Sequence, residues 1–239
     1  MNPFAALISE ITAAEGIART ALDIVTTLDA QPMDHSPNIR AVYARVRQLA
    51  HLATDAADHL IAAEDVFEAA FPWFPAPNGD GFTTVPTEQQ AREESVRRHD
   101  LVAERLSLGA VDAVAAAELY VADRRFHGHV PEHRPPALSS TQSTTLRAIA
   151  RGEVTIRDGR PSQRHDDIRV SISTVRSLES RGLAAREPCQ PWLHDERVQL
   201  TADGRRGLAA AFGRPRPSAP TTVRPPSSPV TSAVRSKAR

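Results

Sequence analysis

The run with the most to offer chemically lies between Arg169 and Leu183, RVSISTVRSLESRGL. Ile172, Val175 and Leu178 recur at steps of three, the spacing of one inward helical face. Ser171 stands where an N-cap belongs, and Gly182 where a helix ends in left-handed geometry. Ser173, Thr174, Arg176 and Ser177 are left outward, mostly on the first two turns. Hydroxyls and a guanidinium at the leading end of a short helix suit hydrogen bonding to base edges in a major groove. The backbone amides at that end can meet a phosphate. The plainer reading of the same residues is a solvated helix face in a module that binds protein.

Other chemistries find less support. His127, His129 and His133 form an H-x-H-x₃-H pattern, but zinc needs a fourth converging ligand and no cysteine lies nearby. His99-Asp100, His165-Asp166 and His194-Asp195 are isolated pairs that assemble no metallohydrolase set. Cys189, the single cysteine, sits beside prolines without a base to activate it. No phosphate loop, dinucleotide fingerprint or nucleophile elbow occurs. The expectation is a protein that is not an enzyme and holds neither metal nor cofactor.

The elements that must position the 169–183 segment are legible from charge and periodicity. The chain has 239 residues, and its 29 basic and 29 acidic side chains cancel overall. They do not cancel locally. Residues 1–130 hold 19 acids against 10 arginines, a balance of −9, and residues 131–239 hold 10 acids against 19 Arg and Lys, a balance of +9. Such asymmetry makes nucleic acid the leading partner for the basic half. The bland alternative is that the two halves attract each other.

In the acidic half, Asn2-Pro3 opens a helix whose apolar seam runs Phe4, Leu7, Ile11, Ala14, Ala18, Ala21, Val25 and Leu28, an a/d repeat that Gln31-Pro32 stops. Ser36-Pro37 restarts it as Ile39, Val42, Val46, Leu49, Ala53, Ala56, Leu60, Ala63, Phe67 and Ala70. Residues 72–86 read as loop. Thr87 and Gln90 form a capping box that opens a third helix to about Arg125. Its less regular seam is Val96, Val102, Leu106, Ala110, Ala113, Ala117 and Tyr120, and Gly109 should weaken its middle. Three long helices predict an antiparallel bundle or a coiled-coil dimer, with self-association favoured because so much a/d surface needs covering.

Beyond a proline-rich break, Ser139 or Ser140 caps a short helix with Leu146 and Ile149 inward and Gly152 at its end. Val154-Thr155-Ile156 reads as a strand and 157–167 as loop. Leu183–Glu187 and Glu196–Leu200 read as a hairpin with a long tip, 188–195, carrying Trp192. Thr201 caps a last helix through Phe212. From Arg214 to Arg239 the chain has six basic residues, no acid and repeated Pro and Ser, a composition that predicts a disordered basic arm.

Two strings, S-T-V-R-S-L-E-S-R-G-L at 173–183 and D-E-R-V-Q-L-T-A-D-G-R-R at 195–206, resemble winged helix-turn-helix regulators of the MarR type. The resemblance spans about residues 138–212 and departs at 157–168, where that family's preceding helix is not evident. It implies a recognition helix at 172–181 in the major groove and a wing at 183–200, whose D-x-R element places Arg197 in the minor groove.

The expected fold is mainly α. Residues 1–126 form a long-helix bundle, 127–137 a linker, 138–212 a winged helix-turn-helix with a small β-hairpin, and 213–239 a basic tail. The candidate DNA-contacting set is Ser171, Ser173, Thr174, Arg176, Ser177, Arg181 and Arg197. The expected function is a cytoplasmic, dimeric, sequence-specific double-stranded DNA-binding regulator, without a membrane partner. A protein-binding helical scaffold and a plasmid or phage DNA-maintenance accessory are the alternatives.

Overall fold

A computed structural model describes residues 3–70, 87–129, 137–163, 169–190 and 193–212. The readings of Asn2, the 72–86 loop, His133, His165-Asp166, Trp192 and the basic tail lie outside these residues.

Three long helices come first: α1 (Pro3–Asp29), α2 (Pro37–Ala70) and α3 (Glu88–Phe126). α2 is central and packs along both neighbours, running antiparallel to each. The first two seams face inward as read, with Leu7, Ala14, Ala21 and Leu28 of α1 buried against Val42, Val46, Ala56 and Leu60 of α2. Ser36 caps α2, its hydroxyl accepting from the Ile39 N–H at 3.1 Å. The Thr87–Gln90 capping box opens α3 as expected.

The third seam differs from its reading. Val96 and Leu106 are exposed at 63% and 40%, and Ala113 and Ala117 also face outward. The stripe that α3 turns toward α2 keeps Val102 from that seam and otherwise consists of Ala91, Ser95, Gly109, Asp112, Ala116 and Asp123. Its small residues allow close approach, and its carboxylates are matched from α2. Asp112 pairs with Arg45, and Asp123 accepts from the Ser36 hydroxyl at the start of α2. Gly109 does not interrupt the helix: a Cβ there would lie 3.4 Å from the Leu49 side chain, so the residue sits where two helices meet.

The C-terminal part contains α4 (Ser140–Ala150), β1 (Val154–Arg157), β2 (Arg160–Gln163), α5 (Ile172–Ser180), β3 (Ala184–Gln190), β4 (Leu193–Leu200) and α6 (Ala202–Ala211). Ser139 caps α4, and Gly152 and Gly182 follow α4 and α5. The strands form one antiparallel sheet in the order β2-β1-β4-β3. The core of this part joins Leu146 and Ile149 of α4, Val154 and Ile156 of β1, Val175 and Leu178 of α5, Val198 of β4 and Leu208 of α6. The helices therefore share one face of the sheet.

Two expectations change here. Residues 157–163 are not loop: Asp158 and Gly159 have φ of +50° and +72°. Positive φ at both central positions makes a two-residue type I′ turn, which folds β1 onto β2 as a hairpin. It stands between α4 and α5 where a helix-turn-helix would place a helix, and no helix intervenes among the described residues. The second hairpin is also longer than read, with strands reaching Gln190 and Leu193 through a bulge near Pro188. Because Arg157 pairs with Asp195 and Thr155 with Arg197, the two hairpins run toward the same end of the sheet.

The bundle and the sheet unit are not strung on a bare linker. Val114 of α3 lies within the C-terminal core. Arg147 of α4 forks onto Glu118 at 2.7 and 3.1 Å, and Arg125 donates to the Ala210 carbonyl at 2.6 Å.

Candidate nucleic-acid interface

α5 is nine residues long, and its inward stripe is the one read from sequence, with Val175 and Leu178 fully buried. Ser171 is its N-cap. The Ser171 hydroxyl accepts from the Thr174 N–H at 3.1 Å and lies 2.9 and 2.8 Å from the Ser173 and Thr174 hydroxyls. This hydroxyl cluster organises the first turn and remains at the surface, where Ser171 and Ser173 are exposed and Thr174 half-buried. Arg176 is exposed and makes no ion pair with a described residue. Arg169, missed in the sequence reading because it precedes the helix, is exposed beside the same turn.

Ser177 and Arg181 are tied into the fold by hydrogen bonds. With Thr174 they fall on one edge of the helix, at i, i+3 and i+7, and that edge meets the start of α4. Gln142 donates to the Ser177 hydroxyl at 3.2 Å. Arg181 donates to the Gln142 side-chain oxygen at 2.8 Å and to the Ala137 carbonyl at 3.1 Å. Gln142 is also the reciprocal partner in the Ser139 capping box. One glutamine thus closes the α4 N-terminus and holds the C-terminal end of α5. Its S-x-x-Q spacing was legible, but the second duty was not.

The acid on α5 is engaged. Glu179 receives two hydrogen bonds from Arg186 of β3, at 2.6 and 3.1 Å, while Arg186 also reaches Glu196 at 3.1 Å. The Glu179 hydrogen bonds raise the Arg186 pKa. Among the described residues, the outward N-terminal half of α5 therefore presents hydroxyls and Arg176 with no carboxylate of its own.

Arg197 does not join this group. Val198 is buried in the core that α5 shares, so strand alternation turns the exposed Arg197 to the opposite face of the sheet. Its neighbours in the D-x-R element serve the sheet itself. Asp195 holds Arg157 of β1 through contacts at 2.6 and 2.9 Å, and Glu196 meets Arg186. Arg197 is also among the residues lining an open cleft of about 910 Å³ between α1, α3 and the sheet unit.

The other end of the matched string has a mechanical explanation. The Thr201 hydroxyl donates to the Gly182 carbonyl at 2.6 Å and accepts from the Gly204 N–H at 3.0 Å, while the Thr201 N–H donates to the Leu183 carbonyl at 3.2 Å. The Gly-Leu after α5 and the Leu-Thr-x-x-Gly after β4 are thus one clamp at the base of the second hairpin.

Of the histidines read as a possible metal cluster, His127 lies against Asp123 and Asp34, and no group of three metal-competent side chains occurs among the described residues. Cys189 is a free, half-buried residue of β3. No helix among the described residues is long and apolar enough to cross a membrane. Against this geometry, no family model, curated protein or solved structure matches the chain.

Proposed function

We propose that the protein is a sequence-specific double-stranded DNA-binding regulator, that α5 enters the major groove, and that the chain works as a pair joined through its long helices. The observation that carries this reading is the leading half of α5, a capped helix end offering Ser171, Ser173, Thr174 and Arg176 to solvent. Arginine matches the two acceptors of a guanine edge, and serine and threonine hydroxyls pair with several base edges. Arg169 and the helix-end amides suit backbone phosphates. The hairpin ends at that end of the sheet serve as wings, the first flanked by Arg157 and Arg160; Arg197 is left out of the contact set. The competing reading, a scaffold that binds protein, draws on the open cleft beside α3.

Duplex-binding titrations at several salt concentrations test the proposal. Affinity should fall with a log–log slope of about −0.9 per phosphate contacted. Arg176→Ala should relax preference at one or two base positions at a cost of roughly 1–3 kcal/mol, whereas Arg216→Ala in the basic C-terminal segment should weaken all duplexes alike. Equal behaviour of the two variants would remove α5 as the reading element.

A further inference from the structure

Part of the apolar seam that sequence periodicity assigned to the bundle core, Leu106, Ala110, Ala113 and Ala117, packs on no other helix among the described residues. Ala103, Leu106, Ala110, Ala113 and Ala117 follow His99 at alternating steps of four and three, and all line the open cleft between α1 and α3. Leu106 is 40% exposed, and Ile17 on the facing wall of α1 is 47% exposed. A regular a/d repeat is the pattern of a helix that packs against another helix, yet α3 already meets α2 through a different stripe.

We infer that the occupant of this cleft is a second copy of the same chain, docked antiparallel through α3. The inference deepens the pairing proposed above by naming its surface, and its test uses no DNA, so either reading can fail alone.

Three observations favour a copy over another partner. First, the stripe is complementary to itself. A two-fold axis near Leu108 sets Leu106 of each copy against Ala110 of the other and Ala103 against Ala113, so each large side chain meets a small one. Second, the cleft is charged oppositely at its ends. Glu10 and His99, 4.0 Å apart, mark the end away from the sheet unit, and Arg151, Arg197 and Arg205 mark the end beside it. The stripe from His99 to Ala117 is roughly 27 Å long at about 1.5 Å per residue. A two-fold axis across its middle brings the acidic end of one copy onto the basic end of the other, as an isologous interface requires. Third, the same operation lays the bundle of each chain, with eighteen acids against ten arginines among its described residues, toward the sheet unit of its partner, where the described residues hold eleven arginines against seven acids. Arg197 thereby gains a carboxylate partner, while α5 on the other sheet face stays open.

Sedimentation of the full chain without nucleic acid tests this. The wild type should be a dimer, and Leu106→Glu should raise its dissociation constant roughly tenfold or more, as expected for a central contact residue. Helical circular dichroism should be unchanged, since Leu106 is already half open to water. Glu10→Arg alone should weaken the dimer, and adding Arg197→Glu should restore it. A monomeric wild type, a folded Leu106→Glu dimer of unchanged affinity, or failure of the double variant to recover would overturn the antiparallel assignment.

Discussion

Gly204 occupies a place with no room for a side chain: a Cβ there would stand 1.9 Å from the Leu183 carbonyl oxygen. That oxygen already accepts from the Thr201 N–H, so it cannot withdraw without breaking the clamp beneath the second hairpin. Gly204→Ala should therefore destabilise the chain by at least the ~1–3 kcal/mol typical of overpacking. The drop should appear as a lower urea midpoint at unchanged slope. At this scale the sequence was partly readable. Ser171, Thr201 and Ser139 were legible as caps because a hydroxyl before an apolar repeat has few other uses. The duties of Ser177, Arg181 and Arg197 were not, because each depends on which neighbour lies across a gap that spacing along one helix or strand does not encode.

Among elements, α3 is the instructive one. A period of 3.5 identifies an apolar stripe but not its partner, and α3 carries two stripes. The one facing α2 includes Ser95, Gly109, Asp112 and Asp123, residues that hydropathy excludes from a core. They are buried because Arg45 and Ser36 of α2 meet the carboxylates and because a glycine admits Leu49. The β1–β2 hairpin was missed for a different reason: Asp158-Gly159 is a strong turn signal, but the strand after it is short and contains Pro161.

The first turns of α3 also hold a pH-sensitive device. Glu94 accepts from Arg97 at 2.6 and 2.7 Å and from Arg98 at 2.7 Å, and these hydrogen bonds pull its carboxyl from the ordinary 4.5 to about 2. Because the folded value lies below the unfolded one, this support is complete above pH 4.5 and is lost as pH falls toward 2. Denaturant midpoints recorded across that window should decline, and Glu94→Gln should remove this part of the decline. Equal slopes for the two proteins would show that Glu94 contributes nothing.

For the whole molecule, the charge division into an acidic and a basic half was legible from composition, and the mainly helical architecture from periodicity. What could not be read was how the halves meet. Arg147 lies across the Phe212 ring at 5.1 Å while forking onto Glu118, so one guanidinium ties α3, α4 and the end of α6. A fragment beginning at residue 137 would lose Val114, Glu118 and Arg125 together. It should unfold at markedly lower denaturant than the same region in the full chain; an unchanged midpoint would show the contacts to be superficial.

Because α3 passes without interruption from the helical layer into the core beneath the sheet, neither can loosen without disturbing the same rod. Calorimetry of the intact chain should then record one endotherm for both regions, with van't Hoff and calorimetric enthalpies in agreement. A signal that seats or unseats a helix along the middle of that rod would be felt, through Val114, at the floor on which α5 rests.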